Sequence, residues 1–190
     1  YPRNFPYITQ NTRRSYQVQS TYNPDRTFHI RAGLDVYGGF PSGGDTVANP
    51  SVYRTILDGS KAGGVANDTA CNVVVMTLPP GWTNVPDTTK LVGFTIRNGL
   101  RQSGAGLMFT NGKGAGIYCQ KGYNVIRNCI ITNVAGAAGV VNADTANIVF
   151  DHDTVVNNRE GNISSEASDV TIQGCLIANN NAYGGLYSYF

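Results

Sequence analysis

The sequence predicts an all-β chain wound as a single-stranded parallel β-solenoid, and three observations carry that prediction. First, four stretches of the C-terminal half recur in phase: GAGIYC (114–119), AAGVVN (137–142), EGNISS (160–165) and YGGLYS (183–188). Their central aliphatics Ile117, Val140, Ile163 and Leu186 stand 23 residues apart each time. Second, another column runs through LVGFTIRNG (91–99), IRNCIITNV (126–134), FDHDTVVNN (150–158) and IQGCLIANN (172–180). In it Phe94, Cys129, Asp153 or Cys175 is followed two positions on by Ile96, Ile131, Val155 or Ile177, and two further by Asn98, Asn133, Asn157 or Asn179. Third, the segments are short, β-branched and alternating, with Gly and Asn between them, and no stretch has helical periodicity. A strand set that repeats without an intervening helix excludes βαβ crossovers. A β-sandwich would not keep phase through four copies.

Each column then has a physical reason. Stacked rungs lie about 4.8 Å apart, so aliphatics at equivalent positions fill a lumen. Gly supplies the positive φ of a corner. Asn tolerates the left-handed bend and can bond its equivalent on the next rung, so Asn98, Asn133, Asn157 and Asn179 are expected to form a ladder. Upstream, FHIRAGLDVYGGF (28–40), YRTILDG (53–59) and NVVVMTL (72–78) read as strands ended by Gly, Asp or Pro. Residues 26–190 are therefore assigned to the solenoid and residues 1–25 to an extended N-terminal arm. At about 23 residues per rung the chain is expected to make about eight rungs, a rod roughly 40 Å long.

GLDVYGGF, RTILDG, LVGFTIRNG, GAGIYC and IRNCIITN resemble segments of the secreted right-handed parallel β-helix proteins of bacteria. The set is similar to the polymorphic outer-membrane protein and pectate-lyase-like repeat groups, and the resemblance covers roughly residues 26–190. It implies a right-handed parallel β-helix and an extracellular or cell-surface setting. It does not imply one activity, because such proteins include adhesins, surface fibres and polysaccharide-active enzymes.

Composition agrees with a turn-rich β protein. Only 14% of the 190 residues are charged, Gly numbers 23, and the formal net charge is +2. The strongest basic cluster is Arg13-Arg14, so no nucleic acid partner is expected. No apolar run is long enough for a transmembrane segment. The chain opens on Tyr1 and reads as a mature or excised segment. Cys71, Cys119, Cys129 and Cys175 form no CxxC pair, and His29 and His152 lack metal-ligand spacing to them, so no zinc site is expected. Cys129 and Cys175 share a column two rungs apart, too far for a disulfide, whereas Cys71 and Cys119 can pair only if their rungs adjoin. No cofactor is expected. Asp35, Asp45, Asp58, Asp68, Asp87 and Asp169 read as turn formers, with a structural calcium at one loop left open.

Polysaccharide lyases and hydrolases need acids converging on one outer face. The best local candidate is FDHDT, with Asp151 and His152 on an outer bend and Asp153 pointing inward or into the turn. The neighbouring rungs offer Arg127 and Asn128, or Gln173 and Gly174, at these positions. Two outward groups without a matching acid make a poor catalytic set, so the chain is expected not to be an enzyme. The Gly-rich pieces GGVAND (63–68) and GAGLMFTNGKGAG (104–116) do not open a helix after a strand and make a weak nucleotide motif.

Two loops stand out. Between Asn98 and Gly116 lie 17 residues, against five between Asn133 and Gly139, so residues 99–114 carry an insertion. It contains Leu107, Met108 and Phe109, which either fold back over the rod or meet a glycan or protein. Trp82, in the segment Gly81–Asp87, either stacks on a sugar or pins its own loop.

A solenoid ends in an open apolar layer and unpaired strand edges. Tyr1, Phe5, Tyr7, Ile8, Tyr16 and Val18 in the arm and Leu186, Tyr187, Tyr189 and Phe190 in the last rung are therefore the expected assembly interface. Other copies of the chain are the expected partner, through a head-to-tail contact that builds a fibre. A structural or adhesive extracellular role follows. A polysaccharide-binding or polysaccharide-cleaving module is the alternative, with a glycan or cell-surface partner.

Overall fold

The computed structural model describes residues 27–43, 47–60, 69–78, 88–100, 113–136, 139–159, 162–181 and 185–189. Their regular elements are strands, wound coil upon coil. The first coil is β1 (Phe28–Arg31), β2 (Asp35–Tyr37) and β3 (Thr55–Asp58), and the second is β4 (Val74–Thr77), β5 (Thr89–Val92) and β6 (Phe94–Arg97). The third is β7 (Ile117–Gln120), β8 (Tyr123–Arg127) and β9 (Ile130–Thr132), and the fourth is β10 (Val141–Asp144), β11 (Asn147–Asp151) and β12 (Thr154–Val156). The fifth is β13 (Asn162–Glu166), β14 (Val170–Gln173) and β15 (Leu176–Ala178), and β16 (Gly185–Tyr189) opens a sixth. Equivalent strands pair in parallel to give face A (β1-β4-β7-β10-β13-β16), face B (β2-β5-β8-β11-β14) and face C (β3-β6-β9-β12-β15).

The described residues thus hold five complete coils and one further strand, not about eight. The 23-residue period is a property of the later coils alone. Upstream, the equivalent positions Phe28, Val74 and Ile117 are 46 and then 43 residues apart, because the first two coils carry long excursions at their corners. The period also hides a one-residue slip: Val141, not Val140, pairs with both Ile117 and Ile163. Val140 instead sits in the corner, where its carbonyl accepts from Gly116 and Ile117 N–H, and it is fully buried all the same.

Alternation within each strand sends one set of side chains inward. The lumen contains the stacks Val74-Ile117-Val141-Ile163, Leu91-Ile126-Phe150 and Leu57-Ile96-Ile131-Val155, all buried. Burying one such side chain contributes roughly 1.5–3 kcal/mol, and this stacking is the main force holding the coils in register.

Face A is covered outside as well. Its outward residues Val75, Tyr118, Asn142 and Ser164 are buried. The described end of the 99–114 insertion lies on this face. Asn72 Nδ2 donates to the Lys113 and Gly114 carbonyls at 2.6 Å, and the Lys113 ammonium pairs with Glu166. Tyr118 donates its hydroxyl to Asp144 at 2.7 Å beneath this layer.

Each corner turns on a residue with positive φ. Lys121, Thr145 and Ala167 serve between faces A and B, at φ of 60°, 54° and 46°. Gly93, Asn128, His152 and Gly174 serve between B and C, and Asn98, Asn133, Asn157 and Asn179 between C and A. These last two corners, BC and CA, hold the chemistry.

Candidate functional site

Corner BC is tight, with two residues between β11 and β12. Its left-handed residue in the fourth coil is His152 (φ 58°), whose ring lies over Gly174 of the next coil. A Cβ on Gly174 would stand 3.0 Å from that ring, and its own φ is 62°. The preceding residue, Asp151, ends β11 and stacks between Arg127 and Gln173 of the adjoining coils. The sequence expectation of two open, outward groups is corrected here: His152 is exposed, but Asp151 is only 5% accessible because its neighbours cover it. Arg127 Nε donates to Asp151 Oδ2 at 2.5 Å, and His152 Nδ1 lies 2.6 Å from Oδ1. The bonds from His152, Gln173 and Arg127 hold the Asp151 carboxyl below the usual carboxylate range.

Asp153 turns into the protein and is 1% accessible. Its Oδ1 accepts from Cys129 N–H at 2.7 Å and its Oδ2 from Asp151 N–H at 3.1 Å. Burial pushes its pKa up to about 7, while the two N–H bonds pull the other way. The column Cys129-Asp153-Cys175 confirms that the two thiols are two coils apart, since Thr154 N–H bonds Cys129 O and Leu176 N–H bonds Asp153 O. No disulfide joins any of the four cysteines, Cys71 and Cys119 included. Burial raises the Cys129 thiol to about 12, so it is an unreactive small hydrophobe. The cluster is thus a closed corner: each carboxylate oxygen of Asp151 and Asp153 already has a partner, and none is presented to a substrate.

Corner CA differs. Asn98, Asn133, Asn157 and Asn179 hold φ of 59°, 54°, 57° and 54°. Their backbones link coil to coil, Asn98 N–H to Asn133 O at 3.1 Å and Asn133 N–H to Asn157 O at 3.2 Å. The Asn133 side-chain amide donates to Asn98 Oδ1. Asn98 in turn donates to Asp58 Oδ1 at 2.8 Å. Burial works against that carboxylate, but the bonds from Asn98, Ser60 and Arg97 win and bring Asp58 down to about 2.

Immediately after this row the sequence reading missed a second, inward one. Asn158 is buried; its Oδ1 accepts from Val134 N–H at 2.9 Å, and its Nδ2 donates to Ile131 O at 3.0 Å and Asn180 Oδ1 at 3.1 Å. Asn180 repeats the motif one coil on, donating to Val155 O at 2.9 Å. The signal was visible as the doublets Asn157-Asn158 and Asn179-Asn180. Beyond them the chain bends outward into a ladder of single bridges, Leu100-Ala135-Arg159-Asn181. The outer Asn row and this ladder bound a groove of about 690 Å³ that runs across the coils, with Ser60 and Thr69 at its first-coil end.

The other sequence-based candidates fall elsewhere. Tyr1, Phe5, Tyr7, Ile8, Tyr16, Val18, Trp82, Leu107, Met108, Phe109 and Phe190 lie outside the described residues. Leu186, Tyr187 and Tyr189 pair along β16 with Ile163, Ser164 and Glu166 of β13. Among the described residues no group of three His, Cys, Asp or Glu could hold a metal ion, and no helix is long and apolar enough to cross a membrane.

A family model for the right-handed β-helix region matches residues 92–189, just over half of the 190. The chain belongs to the right-handed β-helix family. The matched span runs from the end of β5 to the end of β16 and so includes corner BC and corner CA of the regular coils. No curated protein and no solved structure matches the chain. Since a β-helix is a scaffold for unrelated activities, function rests on the corners themselves.

Proposed function

We propose that this chain is an extracellular, adhesive β-helix protein that holds an extended polymer along corner CA without cleaving it. One observation carries the reading: the carboxylates of the Asp151–His152–Asp153 corner are engaged within the protein, while the exposed Asn157 and Asn179 of corner CA line a groove that continues past the bonded pair Asn133 and Asn98. Amides both donate and accept, which suits a hydroxyl-rich chain, and rows repeated every ~4.8 Å suit a ligand that is itself a repeat. The secreted, bacterial setting belongs to the same proposal and is supported by the repeat segments that resemble surface β-helix proteins.

The test is incubation with polyuronates, with and without calcium, scored for retained polymer and for unsaturated or reducing ends. Retention without new ends is the expected result; release of ends would establish the cleaving alternative. The sharper form of the proposal is a fibre built head to tail through residues 1–25 and the last coil. Electron microscopy decides that form, because deleting residues 1–20 must then abolish assembly, and unchanged fibres would sink it.

A further inference from the structure

We infer that the excursion between β2 and β3 of the first coil is a contact surface for a second copy of the chain, two rods pairing there about a two-fold axis. The contact lies apart from corner CA and goes beyond the adhesive reading.

The excursion, residues 38–54, stands where the fourth coil has a corner of two residues. Among its described residues from Phe40 on, all but Pro41 and Pro50 are exposed, so it projects from the rod as a knob. Its base is held closely. A Cβ on Gly38 would stand 2.8 Å from the Gly93 carbonyl oxygen, and one on Gly39, whose φ is 88°, would stand 2.7 Å from Pro50 N. Gly39 N–H donates to Thr55 Oγ1 at 2.9 Å, and Gly39 O accepts from Asn49 N–H at 2.6 Å. The Asn49 carbonyl takes the Val52 and Tyr53 N–H groups at 3.1 and 2.8 Å. These bonds gather Phe40, Val52 and Tyr53 around one turn. A surface fixed in advance gives up little further entropy on docking.

Area and charge name the occupant. Tyr37, Phe40, Val47, Val52, Tyr53 and Ile56 are between 38% and 70% accessible. Together they present roughly 500 Å², near the upper end of what a monomer leaves in one apolar patch. Two such patches face to face bury about 1,000 Å², the size at which specific contacts begin. Tyrosine and phenylalanine are also the side chains enriched in such contacts. Arg54, inside the patch, has no ion pair among the described residues. At the patch edge Asp35 takes the Lys90 ammonium and the Tyr37 hydroxyl on Oδ2, and its Oδ1 has no bond among the described residues. Arg31 and Lys121 also lack an ion pair, but they lie on β1 and at the corner between faces A and B, outside the patch. A patch with one unmatched cation and one half-used carboxylate is complementary to itself. Under a two-fold axis each copy's Arg54 meets the other's Asp35, and the contact closes at two. A projecting surface is also the opposite of the concave pocket that a small ligand needs.

The experiment is sedimentation velocity of the full chain across concentrations from about 1 to 100 µM, since a contact of this size is expected to dissociate on the order of micromolar. Wild type is expected to pass from monomer to dimer over that range. F40S/Y53S is expected to weaken the dimer at least about tenfold with an unchanged thermal transition, because both side chains are exposed. R54E alone and D35R alone are each expected to stay monomeric, because like charges then face each other. An equimolar mixture of R54E and D35R is expected to dimerise again, because each carboxylate then faces a cation at both symmetric contacts. Wild type monomeric at the highest concentration overturns the second copy as occupant. A dimer indifferent to F40S/Y53S overturns the patch, and failure of the R54E and D35R mixture to recover overturns the two-fold pairing. Large species that ignore all these changes belong to the head-to-tail fibre instead and overturn the pairing only if the dimer is missing beside them.

Discussion

Corners BC and CA solve one problem with different residues. Each must turn the chain sharply once per coil, and each places a left-handed residue there. Corner BC varies from coil to coil (Gly93, Asn128, His152, Gly174), and its charged groups are spent on each other and on the backbone. Corner CA repeats Asn four times and backs it, in the later coils, with a second Asn, buried at Asn158 and half-buried at Asn180, that bonds the neighbouring coil's backbone. In the later coils the structural work is thus moved inward, whereas in the earlier ones the outer row still bonds within itself, Asn133 to Asn98 and Asn98 to Asp58. A repeated side chain on a regular backbone makes a surface, whereas a varied one makes a local knot.

Four changes break or sharpen that contrast. The largest effect is expected at corner BC with pH. The Asp153 pKa is raised from 3.8 to about 7, so the folded protein holds that proton more tightly than the unfolded chain does. Its contribution to stability is therefore greatest below about pH 4 and is lost as pH rises through 7, by roughly 4 kcal/mol for a three-unit shift. Urea titrations at pH 4.5 and 8 are expected to show the decline, and Asp153→Cys, the residue of the neighbouring coils, is expected to flatten it. Asp58 and Asp151 act with the opposite sign. Their lowered values add stability above the ordinary carboxylate pKa, and it is lost as pH falls toward 2.

Next comes the buried row of corner CA. Asn158→Ala strands the Val134 N–H and the Ile131 carbonyl in the interior, at a cost of about 3 kcal/mol in denaturant unfolding. The exposed row is expected to respond less. Asn157→Ala leaves a Cβ residue at φ 57° and loses about 1 kcal/mol, whereas Asn157→Gly keeps the turn and changes stability by only a few tenths. Smallest of all, Arg127→Ala removes a half-exposed partner of Asp151 and is expected to shift stability by less than about 1 kcal/mol.

The solenoid was legible because inward aliphatics such as Ile96, Ile131, Val155 and Ile177 must repeat if coils are to stack. The outer Asn row was legible for the same reason, since a left-handed corner narrows the choice of residue. The number of coils was not, because a period read from residues 114–188 says nothing about excursions at the first two coils' corners. The slip at Val140 escaped because Val140 and Val141 are alike and both are buried. Asp151 was read as open because the column alignment shows that Arg127 and Gln173 stand beside it but not that they close over its carboxylate. The groove itself depends on a ladder of single bridges at Leu100, Ala135, Arg159 and Asn181, four unlike side chains that leave no pattern.

The central claim is that corner CA is the face that binds. Its most direct test follows the side-chain amide signals of asparagine by nuclear magnetic resonance while an unbranched polyuronate oligosaccharide is added. The expected result is progressive shifts at Asn133, Asn157, Asn179 and Asn181, with the covered amides of Asn124 and Asn142 still. Shifts centred on His152 and Gln173 instead, with the groove amides unmoved, would contradict it.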